Sequence, residues 1–147
     1  VIDPENGAIS YANAGHPPAL LITQAGKMQT CLVATGTPVG AGHTCMHRTC
    51  RVKAGSPDLM LMYTDGVIDA LSKDALLGIE QIQQIVFDAG KCTAADLIDR
   101  VCRQISLASS SSVKDATALL AVCFNNASFG CSNIGGTDER SLEARTA

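Results

Sequence analysis

A continuous run of large apolar residues occupies positions 59–62 and leads to an acid, Asp65, that is followed at once by Gly66. An amphipathic helix would interrupt such a run with a polar residue at every third or fourth position, so the pattern predicts a strand buried on both faces. Asp65 is then expected at a poorly solvated strand end, where its carboxylate needs a hydrogen bond, an opposite charge or a metal ion. Gly66 is expected to let the backbone turn sharply or approach a ligand closely.

Short alternating or apolar segments predict further strands before this run. Residues 8–13 alternate, residues 19–23 are apolar, and residues 27–33 alternate again, with turn residues between them. We expect these three segments to form a meander of antiparallel strands, because sequential pairing closes short loops. Residues 46–53 carry alternating charges and are predicted to form an exposed edge strand.

After Asp69 the spacing of apolar residues changes from two to about 3.6, which is typical of helices packed on a core. Residues 76–88 are predicted to form an amphipathic helix that ends at Gly90. A second helix is predicted to start at Thr93, where Thr-Ala-Ala-Asp resembles a capping box. Its apolar stripe comprises Leu97, Ile98, Val101, Cys102 and Ile105.

Residues 116–124 predict a closing strand that is entered directly after Asp115, and residues 125–147 have the polar composition of a disordered tail. Strands followed by two helices and a closing strand predict an α+β fold, with the helices packed on one face of a largely antiparallel sheet. We therefore expect one folded unit in residues 1–124.

The composition of the chain excludes several classes of protein. With 147 residues, 46% of them hydrophobic and 17% charged, the chain is expected to be one globular domain or a large piece of one. The net charge of -3 argues against nucleic-acid binding. No apolar run approaches the roughly 20 residues that span a bilayer, and the N-terminus shows no signal-peptide pattern.

The seven cysteines are an odd number with no Cys-x-x-Cys pair, so they support neither a disulfide framework nor a zinc ribbon. A reducing, cytoplasmic compartment is expected. His43, Cys45, His47 and Cys50 could form a metal cluster, but a polar loop followed by a strand edge is the favoured interpretation.

Two predicted strands each meet an acid at one end, Asp65 after the first and Asp115 before the second. If the strands are antiparallel neighbours, both carboxylates fall at the same end of the sheet. A divalent cation would then offset their repulsion, and oxygen ligands select magnesium, manganese or calcium. Two such ions can activate a water for attack on phosphorus. Strand-end aspartates are also common turn formers, and the residues alone leave both interpretations open.

Five segments occur in an order that resembles a known family. They are residues 11–18 (Tyr-Ala-Asn-Ala-Gly-His-Pro-Pro), 36–40 (Gly-Thr-Pro-Val-Gly), 58–69 (Asp-Leu-Met-Leu-Met-Tyr-Thr-Asp-Gly-Val-Ile-Asp), 77–78 (Leu-Gly) and 114–117 (Lys-Asp-Ala-Thr). The ordered set is similar to the C-terminal half of the SpoIIE-like branch of bacterial PPM-type (phosphatase 2C-like) serine/threonine phosphatases. The resemblance covers residues 1–124.

The resemblance implies a mostly antiparallel β-sandwich with helices on both outer faces (αββα). It implies hydrolysis of phosphoserine or phosphothreonine on a protein, usually a small anti-sigma-antagonist domain, by a site with two manganese or magnesium ions. Asp65 matches the metal-binding aspartate of the family's Thr-Asp-Gly motif, and Gly66 matches a close approach of backbone to the site. His16 matches the Ala-Gly-His-Pro segment, where a site-lining role is favoured over a catalytic one.

The sequence departs from the family in two places. The first metal motif, Asp-Gly-x-Gly-His-Gly, is not among these residues, so we expect a partial and inactive domain whose exposed sheet edges favour a homodimer. The closing motif is usually Asp-Asp-x-Thr or Asp-Asn-x-Thr. Aligning Thr117 puts Lys114 at the metal-binding position, whereas a shift by one residue puts Asp115 there and Ala118 at the position of the threonine. Both registers stay open.

Lys114 gives the alternative hypothesis. A lysine at the metal-binding position would act as a fixed cation and replace an ion electrostatically. The chain would then belong to a pseudophosphatase that binds a partner protein without hydrolysis.

Overall fold

In the computed structural model the described residues are 1–23, 28–41, 46–55, 58–108 and 116–124. They form seven strands and three helices. The strands are β1 (Ile2–Asp3), β2 (Ala8–Tyr11), β3 (Ala19–Ile22), β4 (Met28–Leu32), β5 (Cys50–Lys53), β6 (Asp58–Tyr63) and β7 (Leu119–Phe124). The helices are α1 (Asp65–Leu71), α2 (Ala75–Ala89) and α3 (Ala94–Ala108). The predicted tail at 125–147 lies outside the described residues.

The apolar run at 59–62 lies in β6, a central strand of a four-stranded antiparallel sheet with the order β4-β3-β6-β7. Leu59 and Leu61 face a core shared with the helices, whereas Met60 faces a second core. Neighbouring β3 is buried along its whole length in the same way. The prediction of a strand buried on both faces is therefore confirmed.

A three-stranded antiparallel sheet, with the order β1-β2-β5, packs against the other one. Ile9 of β2 contributes to the core between the two sheets, together with Leu21 of β3 and Met60 of β6. The molecule is thus α+β, as the sequence pattern predicts, with two antiparallel sheets packed as the sandwich that the family resemblance implies. β5 lies at the edge of its sheet, which confirms the predicted edge strand.

The three described helices cover the outer face of the four-stranded sheet. Ile82 of α2 and Val101 of α3 are fully buried there against Leu61 of β6. Both predicted helices are confirmed, and Gly90 ends α2 with a φ of 59°, which glycine adopts without a Cβ penalty. Thr93 and Asp96 form the predicted capping box, because each backbone N–H bonds to the side chain of the other. No helix within the described ranges is long and apolar enough to cross a membrane.

The predicted order and number of the elements need correction in two places. β2 and β3 belong to different sheets, so the first strands do not form a meander. The apolar pattern predicts that β3 is buried, but it does not predict which strands pair with β3. In the structure these strands are β4 and β6. The sequence pattern also misses α1, in which Gly66 is a buried helical residue. Of the two roles expected for Gly66, the sharp turn is wrong and the close approach to a ligand stays a prediction.

Candidate functional site

The motif segments before β3, after β6 and before β7 lie at one end of the four-stranded sheet. β6 is antiparallel to β3 and to β7, with Leu61 opposite Leu20 and Tyr63 opposite Leu119. The C-terminal end of β6 therefore lies beside the beginnings of both neighbouring strands. The Gly-His-Pro-Pro segment before β3, the Thr-Asp-Gly segment after β6 and the residues before β7 thus share this end, which we call the site end.

Asp65 occupies the first position of α1 and is exposed to solvent. The expected poorly solvated position was wrong, because the chain leaves the core after the buried Tyr63 and starts a helix at the surface. A carboxylate in the first helical turn is favoured by the partial positive charge of the helix N-terminus. The side chain is therefore open to an ion or ligand that approaches from solvent.

Thr64 joins the end of β6 to the residues before β7. Its hydroxyl donates to the carbonyl oxygen of Ala116 at 3.0 Å and accepts from the N–H of Ala118 at 3.0 Å. Its own N–H donates to the carbonyl oxygen of Ala118 at 3.1 Å. Asp115, the residue bonded to Ala116, and its neighbour Lys114 lie outside the described residues, so the two registers of the closing motif stay predictions.

His16 lies in a loop that the side chain of Asn13 organises. Asn13 Oδ1 accepts from the N–H of His16 at 2.8 Å, and Asn13 Nδ2 donates to the carbonyl oxygens of His16 at 3.0 Å and Leu32 at 3.3 Å. The imidazole is exposed, with Nδ1 at 2.9 Å from the carbonyl oxygen of Pro17. The structure thus places His16 at the site end, on the side of β3, and its predicted site-lining role stays a prediction.

The segments at 11–18 and 36–40 are in close contact at Gly15. Its φ of +88° is one that L side chains rarely adopt, and a Cβ there would lie 2.6 Å from Cγ of Pro38. The N–H of Thr35 also donates to the carbonyl oxygen of Asn13 at 2.8 Å. The two motifs therefore pack directly on each other at the site end.

Gly78 has a comparable role behind Asp65. A Cβ at Gly78 would lie 2.6 Å from Cγ2 of Ile68 and 2.8 Å from the carbonyl oxygen of Ile68. Only a residue without a side chain lets α2 approach α1 so closely. The Leu-Gly motif therefore fixes the helix that begins at Asp65.

The described residues include a side chain of the kind that binds a divalent metal ion, but not enough such side chains to form a metal site. The Asp65 carboxylate is the kind of oxygen donor that manganese and magnesium prefer. Among residues 1–23, 28–41, 46–55, 58–108 and 116–124, no group of three or more histidine, cysteine or acidic side chains could hold an ion. Two predicted members of the alternative cluster near His47, His43 and Cys45, lie outside the described residues, so this cluster stays a prediction.

Sequence reasoning missed Tyr63, which is buried beneath the site end. Its side chain is 2% exposed, and its hydroxyl has no hydrogen-bond partner in the described part of the chain. Burial, and after it electrostatic repulsion from Cys31, raises the pKa of Tyr63 to about 12. The phenol is therefore neutral at physiological pH. An aromatic residue at the end of an apolar run signals burial, but it does not reveal an unpaired hydroxyl.

Among curated proteins, the chain resembles two much longer relatives. It is 38% identical over 72 residues to "Protein IcfG" of Synechocystis sp., which is 49% of this chain and 11% of that protein. It is 38% identical over 68 residues to "Phosphoserine phosphatase RsbP" of Bacillus subtilis, which is 46% of this chain and 17% of that protein. The matched region is thus a small part of either relative.

Solved structures share the fold. The RsbU and RsbW domains of Rv1364c from Mycobacterium tuberculosis match with a TM-score of 0.62 and 28% identity, covering 82% of this chain and 34% of that one. The phosphatase domain of the cell fate determinant SpoIIE from Bacillus subtilis matches with a TM-score of 0.69 over 86% of this chain and 57% of that one. Its 11% identity makes the likeness one of fold alone.

The family model described as Stage II sporulation protein E (SpoIIE) matches residues 1–125. That match covers most of the chain and includes the motif segments gathered at the site end. The chain therefore belongs to the SpoIIE family of phosphatase 2C-type domains.

Proposed function

We propose that this chain is part of a metal-dependent phosphatase that hydrolyses phosphoserine or phosphothreonine on a signalling protein. The observation that carries the proposal is the position of Asp65, at the end of β6 and beside the residues that follow Asp115. Family membership and the match to a relative named phosphoserine phosphatase support the same reaction class.

In this proposal Asp65 and Asp115 hold manganese or magnesium. Ala116, which follows Asp115 in the sequence, accepts a hydrogen bond from Thr64 at the end of β6. Of the two registers, we propose the one with Asp115 as the metal ligand. When bound, the ions would neutralise the carboxylates and lower the pKa of a coordinated water. His16 and Gly66 line the site.

The complete activity needs residues beyond this chain, because the family's first metal motif is not among its 147 residues. We propose that the isolated chain is inactive and that the catalytic unit includes residues 1–124. The proposed substrate is a small phosphoprotein resembling an anti-sigma antagonist, and the proposed compartment is the cytoplasm. Exposed edges of the two sheets would favour a homodimer of the isolated chain.

The test is phosphatase activity in the longest natural protein that contains these residues, measured with manganese on a phosphoserine peptide. Asp65→Asn should lower kcat/KM by more than the ~10–100-fold typical of changes around metal ligands, because it removes a ligand itself. Asp99→Asn, which changes an exposed aspartate on α3, is the matched control and should keep full activity. A protein whose activity survives Asp65→Asn would contradict the proposal.

The second candidate is a pseudophosphatase that binds a partner protein, and Lys114 is the residue that favours it. If the lysine replaces an ion, the longest natural protein should bind the partner without taking up manganese. Two-site manganese binding would count against this candidate.

A further inference from the structure

Charged residues are unevenly distributed along this chain. The whole chain has a net charge of -3, yet residues 6–57 contain four lysines or arginines and no aspartate or glutamate. Three of these four cations, Arg48, Arg51 and Lys53, fall within six residues in and just before β5. This segment is therefore locally positive in a chain that is negative as a whole.

Arg48 and Arg51 present their charges to solvent at the edge of the three-stranded sheet. Both side chains are exposed, and β5 pairs with β2 alone among the described strands. Arg51 lies opposite Ser10, whereas the next pair along the strands, Val52 and Ile9, packs in the core between the two sheets. Because successive side chains of a strand point to opposite faces, Arg51 faces outward.

Two apolar side chains lie beside these cations with most of their surface in water. Val39 and Met46 are each 81% exposed. Met46 is two residues before Arg48, and Val39 comes two residues after Thr37, whose carbonyl oxygen lies 2.8 Å from Nε2 of His47. Charges on an edge strand normally keep other strands away, but an exposed valine and methionine do not. Arginine and methionine are both enriched in protein interfaces, so the mixture indicates a contact surface.

This surface adjoins the site end. The N–H of Arg48 donates to the carbonyl oxygen of Thr35 at 3.3 Å, and the N–H of Thr35 donates to the carbonyl oxygen of Asn13 at 2.8 Å. Asn13 also holds the backbone of His16 in place. The side chains of the surface, which we call the β5 surface, are Val39, Met46, Arg48 and Arg51.

We propose that the β5 surface binds an acidic segment of the phosphoprotein substrate in which apolar residues stand among the acids. That the segment belongs to a substrate rests on the proposed function. Its carboxylates pair with Arg48 and Arg51, and its apolar side chains cover Val39 and Met46. Exposed ion pairs contribute little affinity each, so the charges act mainly by selecting and orienting the substrate beside the site end.

The test uses two phosphoserine peptides and the longest natural protein that contains these residues. Glutamates and leucines flank the phosphoserine in one peptide, and lysines replace the glutamates in the other. The wild-type kcat/KM should be about tenfold higher for the glutamate peptide. Arg48→Glu combined with Arg51→Glu should lower this preference about tenfold or more, because it reverses both charges. A ratio between two peptides is independent of how much of the variant is active.

Arg100→Glu combined with Arg103→Glu is the matched control. These arginines are also exposed and three residues apart, but they lie on α3, on the far side of the four-stranded sheet. The control should keep the wild-type preference. An equal loss of preference in the control would assign the effect to net charge and overturn the inference.

The apolar part of the surface has its own variant. Val39→Ser combined with Met46→Ser should weaken binding of both peptides about tenfold and leave the preference between them unchanged, since it removes apolar contact area and no charge. Leu107→Ser, at a position on α3 that is 74% exposed, is the control and should bind both peptides as wild type does. Unchanged binding in the double serine variant would overturn the apolar contact.

Binding of the same peptides without phosphate, measured by fluorescence anisotropy, separates this inference from the proposed function. A protein that binds the glutamate peptide with the expected preference but hydrolyses neither phosphopeptide would overturn the proposed function and keep the β5 surface. Hydrolysis without preference, or a preference that survives the charge reversal, would overturn the β5 surface and keep the proposed function. A dimer that the charge reversal dissociates, with no change in peptide preference, would assign the surface to a second copy of the chain and also overturn the inference.

Discussion

Tyr63 places a hydroxyl group in the hydrophobic core. The hydroxyl is buried among the core residues below α1 and lacks a hydrogen-bond partner within the described ranges. Burying a hydroxyl without a partner costs free energy, whereas a phenylalanine ring fills the same space without that cost. The phenol therefore opposes folding in the structure described, although its ring packs in the core.

We expect Tyr63→Phe to raise the free energy of unfolding by about 1 kcal/mol, because it removes the unsatisfied group and keeps the ring. Urea denaturation of the 147-residue chain measures the change. Tyr11→Phe, at a partly buried position in β2, controls for loss of a phenol elsewhere. A clear loss of stability in Tyr63→Phe would mean that the hydroxyl has a partner that this structure does not show.

At the scale of elements, the start of α3 couples stability to pH. Hydrogen bonds from the Thr93 side chain, and then from the Thr93 backbone, lower the pKa of Asp96 from its ordinary value of 3.8. A lowered pKa in the folded state means that the carboxylate contributes stability above pH 3.8. That contribution is lost as the pH falls through the lower folded-state pKa.

We therefore expect Asp96→Ala to destabilise the chain most near neutral pH, and less as the pH falls below 3.8. Unfolding free energies of wild type and variant across the acid range measure the difference. Asp99→Ala removes a charge from the same helix outside the first turn and should show a smaller effect. A difference that stays constant down to the lowest pH would contradict the capping role of Asp96.

The elements differ in how far the sequence predicts them. α2 and α3 are evident because fifteen residues in each repeat the helical period and carry their own end signals, Gly90 and Thr93. α1 has only seven residues, follows a strand directly and lacks a side-chain cap, so its pattern merges with that of β6. The partners of β3 depend on contacts distant in sequence, which local periodicity does not encode.

The candidate site, too, could be predicted from the sequence only in part. The apolar run predicts that Asp65 follows β6, although not that its side chain is exposed, and the antiparallel pairing of β6 and β7 places Asp65 beside the start of the last strand. The hydrogen bonds of Thr64 are not visible in the sequence, since its hydroxyl bonds residues 52 and 54 positions away. Long-range hydrogen bonds of this kind are known only once the fold is.

At the scale of the whole molecule, the two sheets and three helices match the phosphatase domain of SpoIIE in fold, and the chain covers 57% of that structure. The site end of the sheet presents motif residues from β3, β6 and β7 together. The described residues alone complete no metal site. The central claim is that Asp65 and Asp115 share one ion at this end, with Lys114 outside the coordination shell.

Manganese titration of the longest natural protein that contains these residues tests that claim most directly. Asp65→Asn and Asp115→Asn should each weaken Mn²⁺ binding by more than the ~10–100-fold of neighbouring changes, and Lys114→Gln should leave it unchanged or slightly tighter. Asp99→Asn serves as the control for loss of a surface charge. Unchanged binding in Asp115→Asn, with altered binding in Lys114→Gln, would contradict the claim and place the lysine in the site.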